Sequence, residues 1–409
     1  MNYYLYRGHT LCAREVLPYE KLSALPAAGE VIFLFARTPL MGRETFPVTD
    51  AALLTDREGV ETLDALTPAP EIPAELAAAI RDGRVRAVNR LHPRWEELLT
   101  LPPRQQKCRV NLLALGDVGS TLLTGLRLLG GDVISSIGIC DLRENVAQRW
   151  EFELNQINLP APYDTMPPVE VISPEELFAG DVFLFCASRF VPDAAVKDGD
   201  VRMAQYQLNR ELAVLYAKKA RSARYKGLFC VVSDPVDPLC RAVLLESNRG
   251  ESGEPDNMGL FPHQVRGFGL GVMNARAAYY AKKNPRFADF LTDGRSFGPH
   301  GEDLVLANSI TRYDDALSRE LTELTAHANL EMRRMGFKPY VAPALSSGAL
   351  SLLLCLRGQW HYSSAYLGGV FMGGRNRATA SGIEFERLPL PKALLARLRE
   401  TETKLRAID

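Results

Sequence analysis

One histidine of this chain lies in a loop whose backbone is set by glycine and proline. His300 stands in the sequence GPHGED, residues 298–303, away from any apolar periodicity. An imidazole titrates near neutral pH, so a histidine held by such a loop is suited to give or take a proton. A solvated loop histidine without a function is the commoner use of this residue, and other residues must decide between the two.

A second motif stands where an apolar strand passes into a helix, in the sequence LLALGDVGSTLLTGL. A dinucleotide-binding turn has the pattern G-x-G-x-x-G here, in which Gly116 would let the backbone approach a pyrophosphate and Gly119 would let the helix pack on the strand. Ala114 replaces the first glycine, so we expect this position to avoid a positive φ. The residues of the turn expected to contact a dinucleotide are Gly116, Asp117, Val118 and Gly119.

The next predicted strand ends at Asp141, 22 residues after Gly119. A carboxylate at this strand end accepts hydrogen bonds from ribose hydroxyls and repels a 2′-phosphate, which favours NAD over NADP. Arg143, two residues later, weakens that preference. A tight turn without a ligand is the alternative, but the order of strand, turn, helix, strand and terminal Asp favours a dinucleotide.

Alternating strands and helices follow a polar, Pro-rich linker, Leu101–Lys107. Nearly continuous apolar strands separated by helices indicate an α/β fold with a parallel sheet covered on both faces, which right-handed crossovers make a Rossmann-type doubly wound sheet. Helices dominate from about residue 241, which indicates a second domain. The predicted strands are RVNLLAL, VISSIGICD, DVFLFCAS and GLFCVVSDP, and the predicted helices are GSTLLTGLRLLGG, RENVAQRWEFEL and MAQYQLNRELAVLYAKKA.

The first hundred residues carry fewer signals. They contain one convincing buried strand, VIFLFAR, and two helix candidates, PAELAAAIRDG and RWEELLTL. We predict a small N-terminal α/β extension, or clasp, whose role the sequence does not indicate. The predicted domains are residues 1–106, the extension; 107–240, the dinucleotide-binding domain; and 241–409, an α+β catalytic domain.

Composition excludes several classes of protein. The 409 residues are 46% hydrophobic and 24% charged with a formal net charge of −1, so there is no basic excess for binding nucleic acid. The sequence has neither a long apolar run that could span a membrane nor the pattern of a signal peptide. Seven scattered cysteines indicate buried thiols in a reducing cytoplasm, and no motif suggests a metal site.

Several motifs in order make the chain from about Arg109 onward similar to the lactate/malate dehydrogenase family. GDVGSTL resembles the cofactor turn of that family, DVFLFCAS its fourth strand, and VVSDPVDPL its fifth-strand motif. FGPHGED resembles the segment that carries the catalytic histidine, and ASGIEFERLPL resembles the closing strand and final helix. The resemblance implies a Rossmann domain followed by an α+β catalytic domain. It does not include the first hundred residues.

The resemblance also implies a reaction and its residues. In the family a 2-hydroxy or 2-oxo acid exchanges a hydride with NAD while a histidine, here His300, moves the hydroxyl proton. Arg276 matches the arginine that clamps the substrate carboxylate, and Arg202 matches a second arginine on a closing loop that polarises the carbonyl. The family forms dimers or tetramers, so a homo-dimer or homo-tetramer is expected. Further cofactor contacts are expected from Ala187, Ser188, Asn209 and Ser233.

Two departures from the family's pattern bear on catalysis. Met273 stands where the family has the Asp that orients the catalytic histidine; Asn274, Glu302 or Asp303 are candidates to replace it. Asp234 replaces an Asn beside the substrate, which puts a negative charge near an anionic acid and costs roughly 4 kcal/mol at about 4 Å and an effective dielectric near 20. A protonated Asp234, a cationic substrate group or a simple turn-capping role for Asp234 would each remove this cost. Ser188 replaces a glycine near the cofactor.

Two functions therefore remain open. The first is an NAD-dependent oxidoreductase with an altered substrate, in which His300, Arg276, Arg202 and Asp234 form the catalytic site. The second is an NAD(H)-binding pseudoenzyme or sensor that keeps the fold without turnover, which Met273 and Asp234 favour. NAD-dependent glycosidases share the cofactor domain and use a Cys/His metal site, but GLGVMNAR lacks their Cys-Asn start.

Overall fold

The computed structural model describes residues 1–100, 106–189 and 199–408, and for residues 199–204 it describes the backbone alone. Within these residues seventeen strands form three sheets. The strands are β1 (Asn2–Tyr6), β2 (His9–Ala13), β3 (Glu20–Leu22), β4 (Val31–Phe35), β5 (Thr45–Pro47), β6 (Val85–Asn89), β7 (Cys108–Leu113), β8 (Ile134–Cys140), β9 (Val169–Val171), β10 (Val182–Phe185), β11 (Leu228–Val231), β12 (Val265–Gly267), β13 (Arg295–Phe297), β14 (Val305–Ala307), β15 (His361–Leu367), β16 (Val370–Thr379) and β17 (Gly382–Phe385).

Helices connect the strands of the large sheet and cover both of its faces. The α-helices are α1 (Ala74–Arg81), α2 (Asp117–Leu129), α3 (Glu144–Asn155), α4 (Gly199–Ser222), α5 (Val236–Ser247), α6 (Leu270–Lys283), α7 (Phe290–Asp293), α8 (Asp315–Ala326), α9 (Ala328–Arg334), α10 (Ser351–Leu356) and α11 (Lys392–Arg406). A π-helical segment, Pro343–Leu350, precedes α10 and packs against α2.

The large sheet contains the predicted parallel sheet. Its parallel strands lie in the order β9-β8-β7-β10-β11-β12, which is the order 3-2-1-4-5-6 of a Rossmann domain. Side chains alternate between the faces, so that Phe183 packs on one core and Leu184 on the other. Helices α4 and α5 cover the first face, and α2, α3 and α10 cover the second. The Rossmann-type α/β prediction is confirmed.

The C-terminal part extends the same sheet with antiparallel strands. Strand β15 pairs with β12 at Ser364 and Gly267, and β16 and β17 follow as a meander. The separate hairpin β13–β14 packs under α11, with Phe297 and Leu398 in a shared core. The predicted domain boundary at residue 240 falls inside α5, and the three-domain division stays a prediction.

The N-terminal extension forms a six-stranded sheet of its own in the order β3-β1-β2-β4-β6-β5. The sequence indicated one buried strand there, β4, and helix α1; the other five strands are short, and several alternate too weakly to be recognised. The segment RWEELLTL, expected to be a helix, forms only a four-residue 3₁₀-helix, Trp95–Leu98. The expectation of an α/β extension is confirmed.

This extension packs directly against the C-terminal part of the chain. The Tyr366 hydroxyl donates to the carbonyl oxygen of Leu40, and Arg387 donates to the carbonyl oxygen of Thr62 at 2.8 Å. Val60 and Leu63 are buried in the same core as α11. The extension therefore shares a buried core with the C-terminal part of the chain.

None of the seven cysteines, all within the described residues, forms a disulfide, and five of them are buried. Among the described residues, no helix combines the length and the apolar character needed to cross a bilayer.

Candidate functional site

The turn between β7 and α2 differs from its prediction at one residue. Ala114 has φ of 76°, so the expectation that it avoids a positive φ is wrong. The Ala114 carbonyl oxygen would lie 2.0 Å from a Cβ at Gly119, so the strand and the helix approach closely at this point. The backbone therefore follows the path of the glycine-rich turn even though alanine occupies the first glycine position. The positive φ of this alanine costs about 1–2 kcal/mol.

The two glycines of the turn have different surroundings. A Cβ at Gly119 would collide with backbone, whereas a Cβ at Gly116 would meet nothing within 4 Å. Gly116 and Asp117 are exposed, and Val118 is partly buried. Open space in front of Gly116, beside the N-terminus of the thirteen-residue helix α2, is the geometry in which a pyrophosphate approaches backbone N–H groups.

Asp141 lies directly after β8 with a side chain that is 10% exposed. Its Oδ2 accepts from the Leu115 backbone N–H at 2.8 Å, and its Oδ1 accepts from the Arg143 N–H at 3.0 Å. The carboxylate therefore braces the glycine turn, and its remaining lone pairs are available to ribose hydroxyls. The Arg143 guanidinium lies 3.9 Å from Oδ1 and is largely exposed.

A lysine that the sequence did not reveal also reaches this turn. Lys338 Nζ lies 2.9 Å from the Asp117 Oδ2 at the first position of α2, although the two residues are 221 positions apart. The ion pair places the Lys338 ammonium, from the segment after α9, at the edge of the predicted phosphate site. No sequence signal could have found it, because only the chain path after α9 brings the lysine there.

Four of the predicted cofactor contacts lie at the ends of β10 and β11 or on the neighbouring helix α4: Ala187, Ser188 and Ser233 follow the two strands, and Asn209 lies on α4. Asn209 is fully buried, and its amide oxygen accepts from the Ser188 hydroxyl at 3.2 Å while its amide nitrogen donates to the Asp234 carbonyl at 2.8 Å. Ala187 is partly buried and Ser188 is exposed. The Ser233 hydroxyl is buried and has no hydrogen-bond partner within the described residues, which suits a site that a bound molecule completes.

His300 lies at the tip of the β13–β14 hairpin, between two glycines with positive φ. Gly298 has φ of 85° and Gly301 has φ of 116°, conformations that side chains other than hydrogen rarely allow. The Gly298 N–H donates to the Gly373 carbonyl of β16 at 2.9 Å. The loop is therefore tied to the main sheet, and the imidazole is 17% exposed.

Asp237, in the first turn of α5, holds this loop from the other side. Its carboxylate accepts the backbone N–H of His300 and the hydroxyl of Ser364, the latter at 2.6 Å. Burial raises the pKa of Asp237 to about 7, an effect that these hydrogen bonds oppose. Sequence reasoning gave Asp237 no role, although it is the last residue of the fifth-strand motif SDPVD.

Arg276 lies on α6 one turn after Met273. Its Nη1 lies 3.7 Å from the Met273 sulfur, and no carboxylate of the described residues lies within ion-pair distance of its guanidinium. Burial lowers the pKa of Arg276, and the charges of Tyr280 and Asp234 oppose that shift. A partly buried cation without a carboxylate partner is suited to bind an anionic group.

The imidazole of His300 faces a carboxylate that sequence reasoning had assigned differently. His300 Nδ1 lies 3.6 Å from Asp234 Oδ1, within ion-pair distance but too far for a hydrogen bond. Of the residues expected to replace the missing aspartate, Asn274 accepts from Ser296 at 3.1 Å, and Asp303 lies 2.8 Å from Lys404.

The structure thus brings together His300, Asp234 and Arg276 from three separate segments at the carboxyl ends of the parallel strands. The side chain of Arg202, near the start of α4, lies outside the described residues. Across the part of the chain that is described, no cluster of three or more His, Cys, Asp or Glu side chains could hold a metal ion.

Comparison with known proteins gives curated relatives of one kind. A probable malate dehydrogenase of Campylobacter jejuni is 26% identical over 289 residues, which is 66% of this chain and 86% of that protein. An L-lactate dehydrogenase of Treponema denticola is 28% identical over 210 residues, 51% of this chain and 59% of that protein. No family model matches the chain.

Solved structures show the same fold at lower identity. A minor L-lactate dehydrogenase of Enterococcus mundtii has a TM-score of 0.58 at 18% identity, covering 74% of this chain and 98% of that one. A malate dehydrogenase of Archaeoglobus fulgidus in complex with NADH has a TM-score of 0.56 at 17% identity, covering 73% of this chain and 97% of that one.

Proposed function

We propose that the chain is a divergent member of the lactate/malate dehydrogenase family and that it is an NAD-dependent oxidoreductase acting on a 2-hydroxy or 2-oxo acid. The observation that carries the proposal is the convergence of an imidazole, His300, and a partly buried guanidinium, Arg276, at the carboxyl ends of the parallel strands. An acid–base group and an anion clamp are the two protein groups that such a reaction needs.

The residues present suit a bound dinucleotide. The open space at Gly116 accepts a pyrophosphate, Asp141 has lone pairs left for ribose hydroxyls, and the Ser233 hydroxyl needs a partner. NAD bound in this position supplies or accepts the hydride. The orphaned hydroxyl of Ser233 supports this assignment most directly, because most buried polar groups in proteins are paired and this one lies at the proposed cofactor site.

In the proposed reaction Arg276 holds the substrate carboxylate and His300 exchanges a proton with the substrate oxygen. The glycines of the His300 loop and the hydrogen bond that Asp237 accepts from the His300 backbone N–H hold the backbone that carries the imidazole, so the loop needs little reorganisation when the proton moves. Arg202 is assigned to the carbonyl oxygen by its position seven residues before Asn209.

Two further properties belong to the proposal. A homo-dimer or homo-tetramer is expected from the family, and size-exclusion chromatography with light scattering measures it. Residence in the cytoplasm is supported by seven cysteines that form no disulfide, since thiols persist in a reducing compartment.

An NAD(H)-binding sensor without turnover is the second candidate. It is favoured by Met273, which is buried against Arg276 where the family has the carboxylate partner of the histidine. A thioether neither orients an imidazole nor stabilises its protonated form.

Two measurements decide between the candidates. NADH fluorescence titration measures cofactor binding, and a screen of 2-oxo acids with and without amine groups at 340 nm measures turnover. The enzyme proposal expects turnover that falls by about 10²–10⁴-fold in His300→Gln, with NADH affinity unchanged. The control His327→Gln replaces an exposed histidine on the far end of α8 and leaves kcat unchanged.

NADH binding without turnover on every acid tested favours the sensor. Turnover that survives in His300→Gln contradicts the assigned acid–base group. No NADH binding at all contradicts both candidates.

A further inference from the structure

We propose that Asp234 is the positioning residue of the His300 imidazole, so that the carboxylate missing from α6 is supplied from the turn between β11 and α5. This inference rests on the proposed function. The family's pattern has an Asp at the position of Met273 and an Asn at the position of Asp234. Both departures are then one change, in which the carboxylate partner of the imidazole has moved from α6 to the turn after β11.

The distance is the first support. His300 Nδ1 lies 3.6 Å from Asp234 Oδ1, within the range in which an ion pair forms once the imidazole is protonated. The Asp234 side chain is 55% exposed, so it can move the few tenths of an ångström that a direct hydrogen bond requires. With Nδ1 turned toward Asp234, the Nε2 atom is left to exchange the proton with substrate.

The second support is that the neighbouring carboxylates have other partners. Asp237 accepts the backbone N–H of His300, not its ring, and also the Ser364 hydroxyl. Asp303 lies 2.8 Å from Lys404 Nζ. Glu302 is the remaining titratable group of this loop, and it is tested below as the competing partner.

The backbones of both residues are held in place. The Asp234 carbonyl accepts from the buried Asn209 amide at 2.8 Å, and the His300 N–H is held by Asp237. Residues on separate segments therefore keep their separation, and only the two side chains need to adjust. Asn209 gains a role in this arrangement, because it orients the turn that carries the carboxylate.

The pairing also removes the electrostatic objection to Asp234. A carboxylate beside an imidazolium forms a pair with no net charge, so an anionic 2-oxo acid that meets the protonated site encounters Arg276 and a neutral pair. The charge of Asp234 also acts on Arg276, where it opposes the lowering of the arginine pKa by burial. The Arg276 guanidinium remains available to the substrate carboxylate.

The test is a split between two kinetic constants. In Asp234→Asn, kcat for the 2-oxo acid falls by about 10²-fold because the imidazolium loses its partner, whereas KM falls or stays unchanged because one negative charge is removed. The matched control Asp164→Asn changes an exposed aspartate of the 160s loop and leaves both constants unchanged. Glu302→Gln leaves kcat within about twofold of the parent.

A second readout is independent of turnover. The His300 ring resonance, assigned by its loss in His300→Gln, is titrated by NMR in the full chain with and without NAD. Its midpoint moves to lower pH by about one pH unit in Asp234→Asn and stays in place in Asp164→Asn and Glu302→Gln.

The outcomes separate cleanly. A fall in kcat and in the midpoint specific to Asp234→Asn supports the inference. An unmoved midpoint, or the same change in Glu302→Gln, overturns it whether or not the chain turns over an acid. A moved midpoint in a chain that reduces none of the acids keeps the pairing and rejects the proposed function.

Discussion

The proposed cofactor side and the proposed substrate side of this site are built in different ways. The cofactor side consists of backbone: a turn at Gly116 and Gly119 and the N-terminus of α2. The substrate side consists of side chains from three segments, His300, Asp234 and Arg276. A site built from backbone tolerates a substitution only if the new residue keeps the backbone conformation. A charged side chain can be supplied to the same point from different elements of the fold.

The difference explains where the chain departs from its relatives. On the proposed cofactor side two residues depart from the family's pattern, Ala114 and Ser188, and Ala114 keeps the backbone conformation at the expense of strain. On the substrate side two residues are exchanged, and the carboxylate near the imidazole comes from another element. Sequence motifs therefore identify the proposed cofactor side, but they do not reveal which carboxylate lies near the imidazole on the proposed substrate side.

The largest expected effect comes from a substitution at the tightest contact of the glycine turn. Gly119→Ala puts a Cβ 2.0 Å from the Ala114 carbonyl oxygen, and since both are backbone-fixed we expect the free energy of unfolding to fall by about 2–3 kcal/mol. Urea denaturation followed by circular dichroism measures this change.

Gly116→Ala is the matched control on the same turn. Gly116 has φ of −70° and open space, so we expect unchanged stability but NADH binding weaker by at least about tenfold, since the methyl group occupies the approach of the pyrophosphate. Equal effects of the two changes on stability would contradict the distinction between a packing glycine and a binding glycine.

The next effect concerns the anchor of the substrate side. Burial raises the folded-state pKa of Asp237 to about 7 from 3.8, so its protonated form stabilises the fold fully below about pH 4 and this contribution is lost as pH rises through about 7. Asp237→Asn keeps an acceptor for His300 and Ser364 without titrating. Relative to this variant, the parent should lose on the order of 2 kcal/mol of stability between pH 5 and pH 8.

Unfolding of both proteins at several pH values measures the difference. Glu44, whose pKa burial likewise raises to about 7, is present in both proteins and cancels. Parallel pH dependences of parent and variant would mean that Asp237 is ionised in the folded chain near neutral pH.

A smaller effect tests whether the cofactor side also uses a side chain. In Lys338→Ala the charge beside Asp117 is lost, and we expect NADH binding to weaken about two- to fivefold at low salt and to match the parent at high salt. Lys226→Ala removes another exposed lysine, whose partner is Glu97, and it serves as the control. A salt-independent loss would point to a change in the loop after α9 instead of a charge effect.

The smallest effect relieves the strain at the turn. Ala114→Gly should raise the free energy of unfolding by about 0.5–1 kcal/mol, because φ of 76° is unfavourable for alanine and natural for glycine. Gly83→Ala is the mirror control: Gly83 has φ of 67° with open space, so the same measurement should show a loss of similar size. A destabilised Ala114→Gly would show that the alanine methyl contributes packing that outweighs its strain.

Local patterns of the sequence were sufficient for the Rossmann half. The strands β7, β8, β10 and β11 and the helices α2, α3 and α4 follow from apolar runs and helical spacing, and the glycines and proline around His300 predicted a loop. The N-terminal sheet was largely missed, because five of its strands are three to five residues long and gain their stability from pairing with each other.

What the sequence alone determined is the set of chemical groups and the elements that carry them, since propensity, periodicity and turn chemistry act over a few residues. Tertiary structure decided which groups meet. Asp234 rather than Asn274 or Asp303 faces the imidazole, Ser364 reaches Asp237, and Lys338 reaches Asp117. Each of these contacts joins residues far apart in the chain, and their geometry is set by how helices and hairpin pack on the sheet, which no local pattern encodes.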